Sequence, residues 1–177
     1  MRAIEVDITD DMVTEAKDKA AELGKLNNSI RGGKGNIVGF LGELAIIKAF
    51  PEAKAINTYD ADLELMGYSM EVKTKDRTVA PRSSYEASVA NFNTRQNADL
   101  YVFVSLLRKA NTYVKAYVVG YTKKPAYIEQ ARRIEKGDID PSNGWAASAD
   151  CWNMEYSKLK EFKLVVDENN GCRYTDI

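Results

Sequence analysis

The chain runs to 177 residues, 45% of them apolar and 29% charged, with a net charge of −1. That length can close one hydrophobic core and the composition argues against overall disorder, while near-neutrality excludes a polycation that coats nucleic acid by bulk charge. Histidine is absent and cysteine occurs only at Cys151 and Cys172, which removes Ser-His-Asp and Cys-His catalysis, His-ligated metals and a disulfide framework.

Thr9 is placed to cap a helix whose first turn carries Asp10 and Asp11, both favourable at the positive end of the helix dipole. Met12, Val13, Ala16, Ala20 and Leu23 recur at helical spacing, and Gly24 supplies a stop. The polar stretch from Lys25 to Gly35 carries Lys25, Arg31, Lys34 and the run Gly-Gly-Lys-Gly. No strand precedes that run and no Ser or Thr follows its lysine, so it is not a phosphate-cradling loop. Asn36 caps a second predicted helix that ends at Phe50, before Pro51, with Val38, Leu41, Ala45, Ile46 and Ala49 as its core stripe. Within it, Glu43 has Gly39, Phe40, Ile46 and Ile47 as neighbours one turn away. A carboxylate there is either exposed at the edge of the stripe or buried beside a partner or cation.

A β-hairpin is expected next. Leu63 and Leu65 point one way and Asp62 and Glu64 the other, while Met70 and Val72 alternate with Glu71, Lys73 and Lys75. A two-residue turn at Met66-Gly67 sets Leu65 across from Tyr68 and, by extension, Asp62 across from Glu71 and Asp60 across from Lys73. Acids facing each other at about 5 Å repel unless something positive lies between them. Lys73, Lys75, Arg77 and Arg82 cluster with only Asp76 opposing them, which reads equally as a phosphate-steering patch or as solvated surface.

Beyond Pro81, a helix is expected over Tyr85–Gln96 and a strand buried on both faces over Asp99–Leu107. A neighbouring strand over Tyr113–Tyr121 precedes a helix over Pro125–Lys136 that bears Ile128, Ala131 and Ile134 and stops at Gly137. The tail from Asp138 reads as loop-rich, with Pro141, an Asn143-Gly144 turn and a short segment around Ser157–Phe162. The two cysteines read as packing residues. The order α, α, β-hairpin, α, β, β, α suggests a mixed sheet flanked by helices, in one domain over 1–177 with its core at about 36–122. Charges at Arg2, Glu5, Asp7 and Asp10 leave no apolar leader, and the longest apolar runs fall well short of the roughly 20 residues of a membrane span. A cytoplasmic protein without membrane contact is expected.

What chemistry remains is carboxylate, lysine and oxygen-ligated metal. Magnesium takes oxygen ligands and keeps several waters. Asp62 and Glu71 supply two carboxylates, with the Val72 carbonyl in reach and Glu43 available to a water or a second ion. Asp60 competes with Asp62 as the strand ligand, and the match to Glu71 favours Asp62. Lys73 shares the Glu71 face and can orient a water or neutralise charge developing on a phosphate. Gln96 can position the water or the phosphate.

These residues resemble the PD-(D/E)XK, or restriction-endonuclease-like, nuclease superfamily. Gly42-Glu43 resembles its helix glutamate, Asp62 its strand aspartate and Glu71-Val72-Lys73 its acid-x-lysine triplet, although Tyr59 rather than proline precedes the first aspartate. More narrowly, Asn57-Thr58-Tyr59-Asp60-x-Asp62, Glu71-Val72-Lys73-Thr74-Lys75, Phe92-Asn93-Thr94-Arg95-Gln96 and Tyr101-Val102-Phe103-Val104 are similar to small bacteriophage-encoded endonucleases. The resemblance implies an α/β fold with an αβββαβ core, in which helix Tyr85–Gln96 and strand Asp99–Leu107 complete a mixed central sheet flanked by helices. An extra N-terminal helix and a C-terminal helix/loop extension lie outside that core. It also implies an endonuclease that needs Mg²⁺, or Mn²⁺ as a substitute, to hydrolyse DNA, working in the host cytoplasm if phage-encoded. A homodimer follows only by analogy with nucleases that pair subunits to cut both strands. The alternatives are a catalytically silent member that binds nucleic acid or a protein partner, and an exonuclease or junction-cutting enzyme with the same site.

Overall fold

The computed structural model describes residues 2–23, 36–139, 144, 146–167, 171–174 and 177. The expected stop at Gly24, the loop carrying Lys25, Arg31 and Lys34, and the residues Pro141 and Asn143 lie outside them. Helices α1 (Asp10–Leu23) and α2 (Asn36–Ala49) form where the hydrophobic spacing puts them. The Thr9 hydroxyl caps the first by accepting from the Met12 N–H at 3.4 Å. Helix α2 is buried without a break from Leu41 to Ile46, and Gly42 is what lets it approach the sheet so closely. A Cβ at Gly42 would lie 1.9 Å from Thr74 Oγ1 and 3.0 Å from Thr74 Cβ. Gly42→Ala is therefore expected to cost about 1–3 kcal/mol through overpacking, read as a lower denaturation midpoint, with Thr74→Ala in the same chain returning part of the loss. An unchanged midpoint for Gly42→Ala would show that helix and strand stand further apart.

Strand β1 (Ile4–Asp7) precedes the helices, and β2 (Lys54–Ala55), β3 (Leu63–Leu65), β4 (Tyr68–Arg77), β5 (Glu86–Ala90), β6 (Leu100–Lys109) and β7 (Thr112–Lys123) follow them. Six of these make one sheet in the order β1-β7-β6-β4-β3-β2. Strands β4 and β6 are parallel and the other pairs antiparallel, so the sheet is mixed and the fold is α/β. The hairpin register is the expected one, with Leu65 opposite Tyr68 and Leu63 opposite Met70. Met66 and Gly67 both take positive φ, 53° and 80°, the type I′ geometry whose twist matches the strands it joins.

Two cores sit on opposite faces of this sheet. Val102, Val104 and Leu106 of β6 join Met12, Ala16, Leu41, Ala45 and Ile46 of the helices in one. Tyr101 and Phe103 join Ala87, Val89, Tyr127 and Met154 in the other. The β6 strand is thus buried on both faces, as its nearly continuous apolar run, interrupted only by Ser105, requires. On the second face lie α3 (Lys124–Gln130) and a three-stranded sheet, β5-β9-β8, in which β8 is Arg132–Ile134 and β9 is Cys151–Glu155. The Tyr127 hydroxyl ties these together, 2.6 Å from the Trp152 carbonyl and 3.1 Å from that of Ala87. A final hairpin pairs β10 (Leu164–Asp167) with β11 (Gly171–Tyr174).

Three expectations are corrected here. Residues 85–96 are not a helix but β5 followed by a 3-10 turn, Asn91–Arg95. Ala87 and Val89 are buried while Glu86, Ser88 and Ala90 are half-exposed, a period of two that pairing with β9 fixes. The helix expected at Pro125–Lys136 ends at Gln130, and Ile134 sits on β8. The tail is not chiefly loop, since it carries β9, β10 and β11; Ser157 lies in a 3-10 turn over Tyr156–Lys158. Cys151 is buried, as a packing residue should be, and the Cys172 side chain lies outside the described residues. No helix among the described residues is long and apolar enough to cross a membrane.

Candidate active site

Strand β3 stops at Leu63, but β4 continues to Arg77 with β6 paired along its other side. The candidate site lies where the two hairpin strands part. The Asp62 N–H still donates to the Met70 carbonyl at 2.9 Å, although Met70 already has Leu63 as its Cα partner. The chain then bends away, and Asp62 Oδ2 accepts the Val72 N–H at 2.7 Å. Because the N–H and C=O of a strand residue point to the same side, the Val72 carbonyl faces this gap rather than β6.

The expected cross-strand ladder therefore does not run on past Leu63. Asp62 meets β4 through one backbone bond to Met70 and through its side chain at Val72, not as a paired residue opposite Glu71, and Asp60 does not stand opposite Lys73. Asp60 lies on an exposed bend, where its Oδ1 accepts the Asn97 N–H at 2.8 Å. Of the two competing acids, Asp62 is the one held against the acid-x-lysine triplet.

Glu71 and Lys73 share a face of β4, two residues apart, and form an ion pair at 2.6 Å between Glu71 Oε1 and Lys73 Nζ. Both side chains are largely buried, at 6% and 16% exposure. Glu71 Oε2 is buried without a hydrogen-bond partner. Glu43, from the adjoining α2, is buried as well. Burial, then the negative charge of Asp62, push its carboxyl up to about 8, with Glu71 adding to the effect and Lys19 opposing it. Asp62 rises to about 7 for the same leading cause, burial, followed by the charge of Glu71, against the Val72 N–H and Lys73. Three acids, from α2, from β4 and from the bend before β3, thus share one electrostatic neighbourhood.

Two more members of the basic cluster, Lys75 and Arg77, are committed elsewhere. Lys75 Nζ donates to the Glu86 carbonyl and to Ser88 Oγ, fastening β4 to β5. Arg77 stacks on Tyr85, its guanidinium carbon 4.4 Å from the ring centroid, and Asp76 pairs with Arg108 at 3.4 Å. Arg82 is exposed. Gln96 does not present its amide to the gap: Nε2 donates to the Tyr59 carbonyl at 3.0 Å and Oε1 is buried without a partner. Its backbone carbonyl accepts from Lys124 Nζ. Gln96 thus fastens the Asp60 bend to the turn before β6.

Sequence reasoning missed Tyr101. It is the Cα partner of Glu71 on β6, and its buried hydroxyl has no hydrogen-bond partner. Burial and the Glu71 charge push that hydroxyl up to about 12. A polar-tipped aromatic inside a nearly continuous apolar run was the available signal.

Among the described residues, no three His, Cys, Asp or Glu side chains form a ready-made metal cage. The donor set still suits a hard cation. Magnesium is commonly held by one or two carboxylates with waters and substrate phosphate completing its shell, and the partnerless Glu71 Oε2, Asp62 and the Val72 carbonyl are all oxygen donors. Comparison with protein-family models, with curated proteins and with solved structures gave no match.

Proposed function

We propose that this chain is a Mg²⁺-dependent DNA endonuclease, with Mn²⁺ as an effective substitute, built on a variant of the restriction-endonuclease-like core and of the kind small bacteriophages encode. On this reading it works in the host cytoplasm, and it meets DNA as its partner, alone or as a homodimer. The observation that carries the reading is the meeting of Asp62, Glu71 and Glu43 beside Lys73. Burying three acids together raises the free energy of the metal-free fold, a cost that a binding site for a cation explains and a purely structural role does not.

Asp62, Glu71 and the Val72 carbonyl would hold the ion. When bound, it would polarise the scissile phosphate and make water a better nucleophile near neutral pH. Lys73 Nζ, anchored by Glu71, is placed to neutralise the charge that grows on the phosphate oxygens. Glu43 retains its proton through neutral pH at the inner wall of the site. Hydrolysis forms a bond from water oxygen to phosphorus and breaks one P–O ester bond, with the water proton passing to solvent or to the leaving oxygen.

Supercoiled plasmid and linear DNA incubated with the protein provide the test. Nicked or linear product in Mg²⁺ or Mn²⁺, and none in EDTA, is the expected result. Intact DNA across both substrates and both ions would overturn the proposal.

A further inference from the structure

Tyr59 is 75% exposed, and an isolated aromatic on a surface ordinarily needs no explanation. This one is presented by a loop that is fastened at several points. The Ile56 and Asn57 N–H groups both donate to the Asp62 carbonyl, at 3.0 and 3.2 Å, and the Thr58 N–H donates to the Ala61 carbonyl at 3.0 Å. Thr58 Oγ1 closes the same turn against Ala61 from the inside, while Ala61 itself is buried. Gln96 holds the Tyr59 carbonyl and Asn97 holds the Asp60 carboxylate. The backbone beneath the ring is thus pinned from both sides, three residues from Asp62 and so within about 11 Å of chain.

Charge supplies the second argument. Duplex DNA is bound mainly through its phosphates by lysine and arginine. Here the net charge is −1, and Lys73, Lys75 and Arg77 of the strand beside the site are already engaged. With those three cations of the adjacent strand committed within the fold, the exposed aromatic beside them is the feature suited to unpaired bases, whose faces stack on such a ring without regard to sequence.

We infer that Tyr59 is a stacking platform for an unpaired base next to the scissile phosphate, and that the substrate is single-stranded DNA or an unpaired stretch within a duplex. This rests on the endonuclease reading for the phosphate chemistry, but the stacking can be measured without cleavage.

Two assays separate them. In the first, a labelled single-stranded oligonucleotide and the blunt duplex of the same sequence are titrated with protein in Ca²⁺ and followed by fluorescence anisotropy. The single strand is expected to bind more tightly, and Tyr59→Ala to weaken it about tenfold, with Tyr59→Phe and Tyr59→Trp close to wild type. In the second, the same DNAs are cut in Mn²⁺, where Tyr59→Ala is expected to raise KM for the single strand with little change in kcat. Equal binding of duplex and single strand, or a Tyr59→Ala protein that binds the single strand as wild type does, would overturn the inference. Tyr59-dependent binding with no cleavage by wild type in any ion would uphold the platform and remove the nuclease.

Discussion

Replacing Lys73 by methionine is expected to slow phosphodiester cleavage by about 100- to 1,000-fold, the range for losing one preorganised charge at a reacting oxyanion, while leaving a metal effect on stability. Lys73 Nζ lies 2.6 Å from Glu71 Oε1 in a largely buried pair. Removing one member of such a pair leaves a buried carboxylate uncompensated, at a cost of about 3–5 kcal/mol. A divalent cation at Asp62 and Glu71 would restore much of that loss, so Mn²⁺ should raise the melting temperature of the Lys73→Met protein more than that of wild type. Asp62→Asn should behave differently, losing cleavage and most of the Mn²⁺-induced rise together, although its amide oxygen can still accept the Val72 N–H. Melting curves with and without Mn²⁺, beside cleavage rates for both variants, make the comparison. Lys73→Met cutting at the wild-type rate would end the role assigned to the ammonium.

The second large effect concerns the metal-free fold. In EDTA at pH 8, Glu43→Gln is expected to stabilise the protein by about 2–4 kcal/mol, and at pH 5 to change little. The sign follows from the direction of the shift. Glu43 moves from 4.5 up to about 8 on folding, so the folded chain holds a proton that the unfolded chain releases. The resulting stabilisation is complete below about pH 4.5 and disappears as pH rises through 8. Asp62, raised from 3.8 to about 7, adds to the trend over a slightly lower window, and the two titrate as a pair. Wild type without metal should therefore weaken steadily from pH 5 to pH 8, and the glutamine variant much less. Urea midpoints at the two pH values give the answer. A Glu43→Gln protein with the same pH dependence as wild type would show that the carboxyl is not buried among acids.

Much of the architecture was legible because local signals agreed with tertiary ones. Met66-Gly67 between two alternating stretches fixed the hairpin register, and Pro51 and the apolar spacing fixed α2. The nearly continuous apolar run of β6 announced a strand with no wet face. Residues 85–96 misled because Ala87, Ser88, Val89 and Ala90 are small enough to suit either period. What decides between them is β9, more than 60 residues away in the chain, which no local pattern reveals. The same limit applied to the site. Periodicity put Glu71 and Lys73 on one face correctly, but extending the ladder by counting could not foresee that the chain bends at Asp62. The acid arrives beside Val72 through its side chain, and Asp60, one bend earlier, turns to Asn97 instead. Glu43 was recognisable as an acid in an apolar helix, and its proximity to the other two depended on Gly42 meeting Thr74.

The division of β6 between two cores carries a consequence for how the chain can change. Tyr101 and Phe103 serve one side and Val102, Val104 and Leu106 the other. Shifting the strand's frame by a single residue would exchange the contents of both interiors at once and would also part Glu71 from Tyr101. Surface connections can lengthen or shorten freely, but this strand is locked to its present phase.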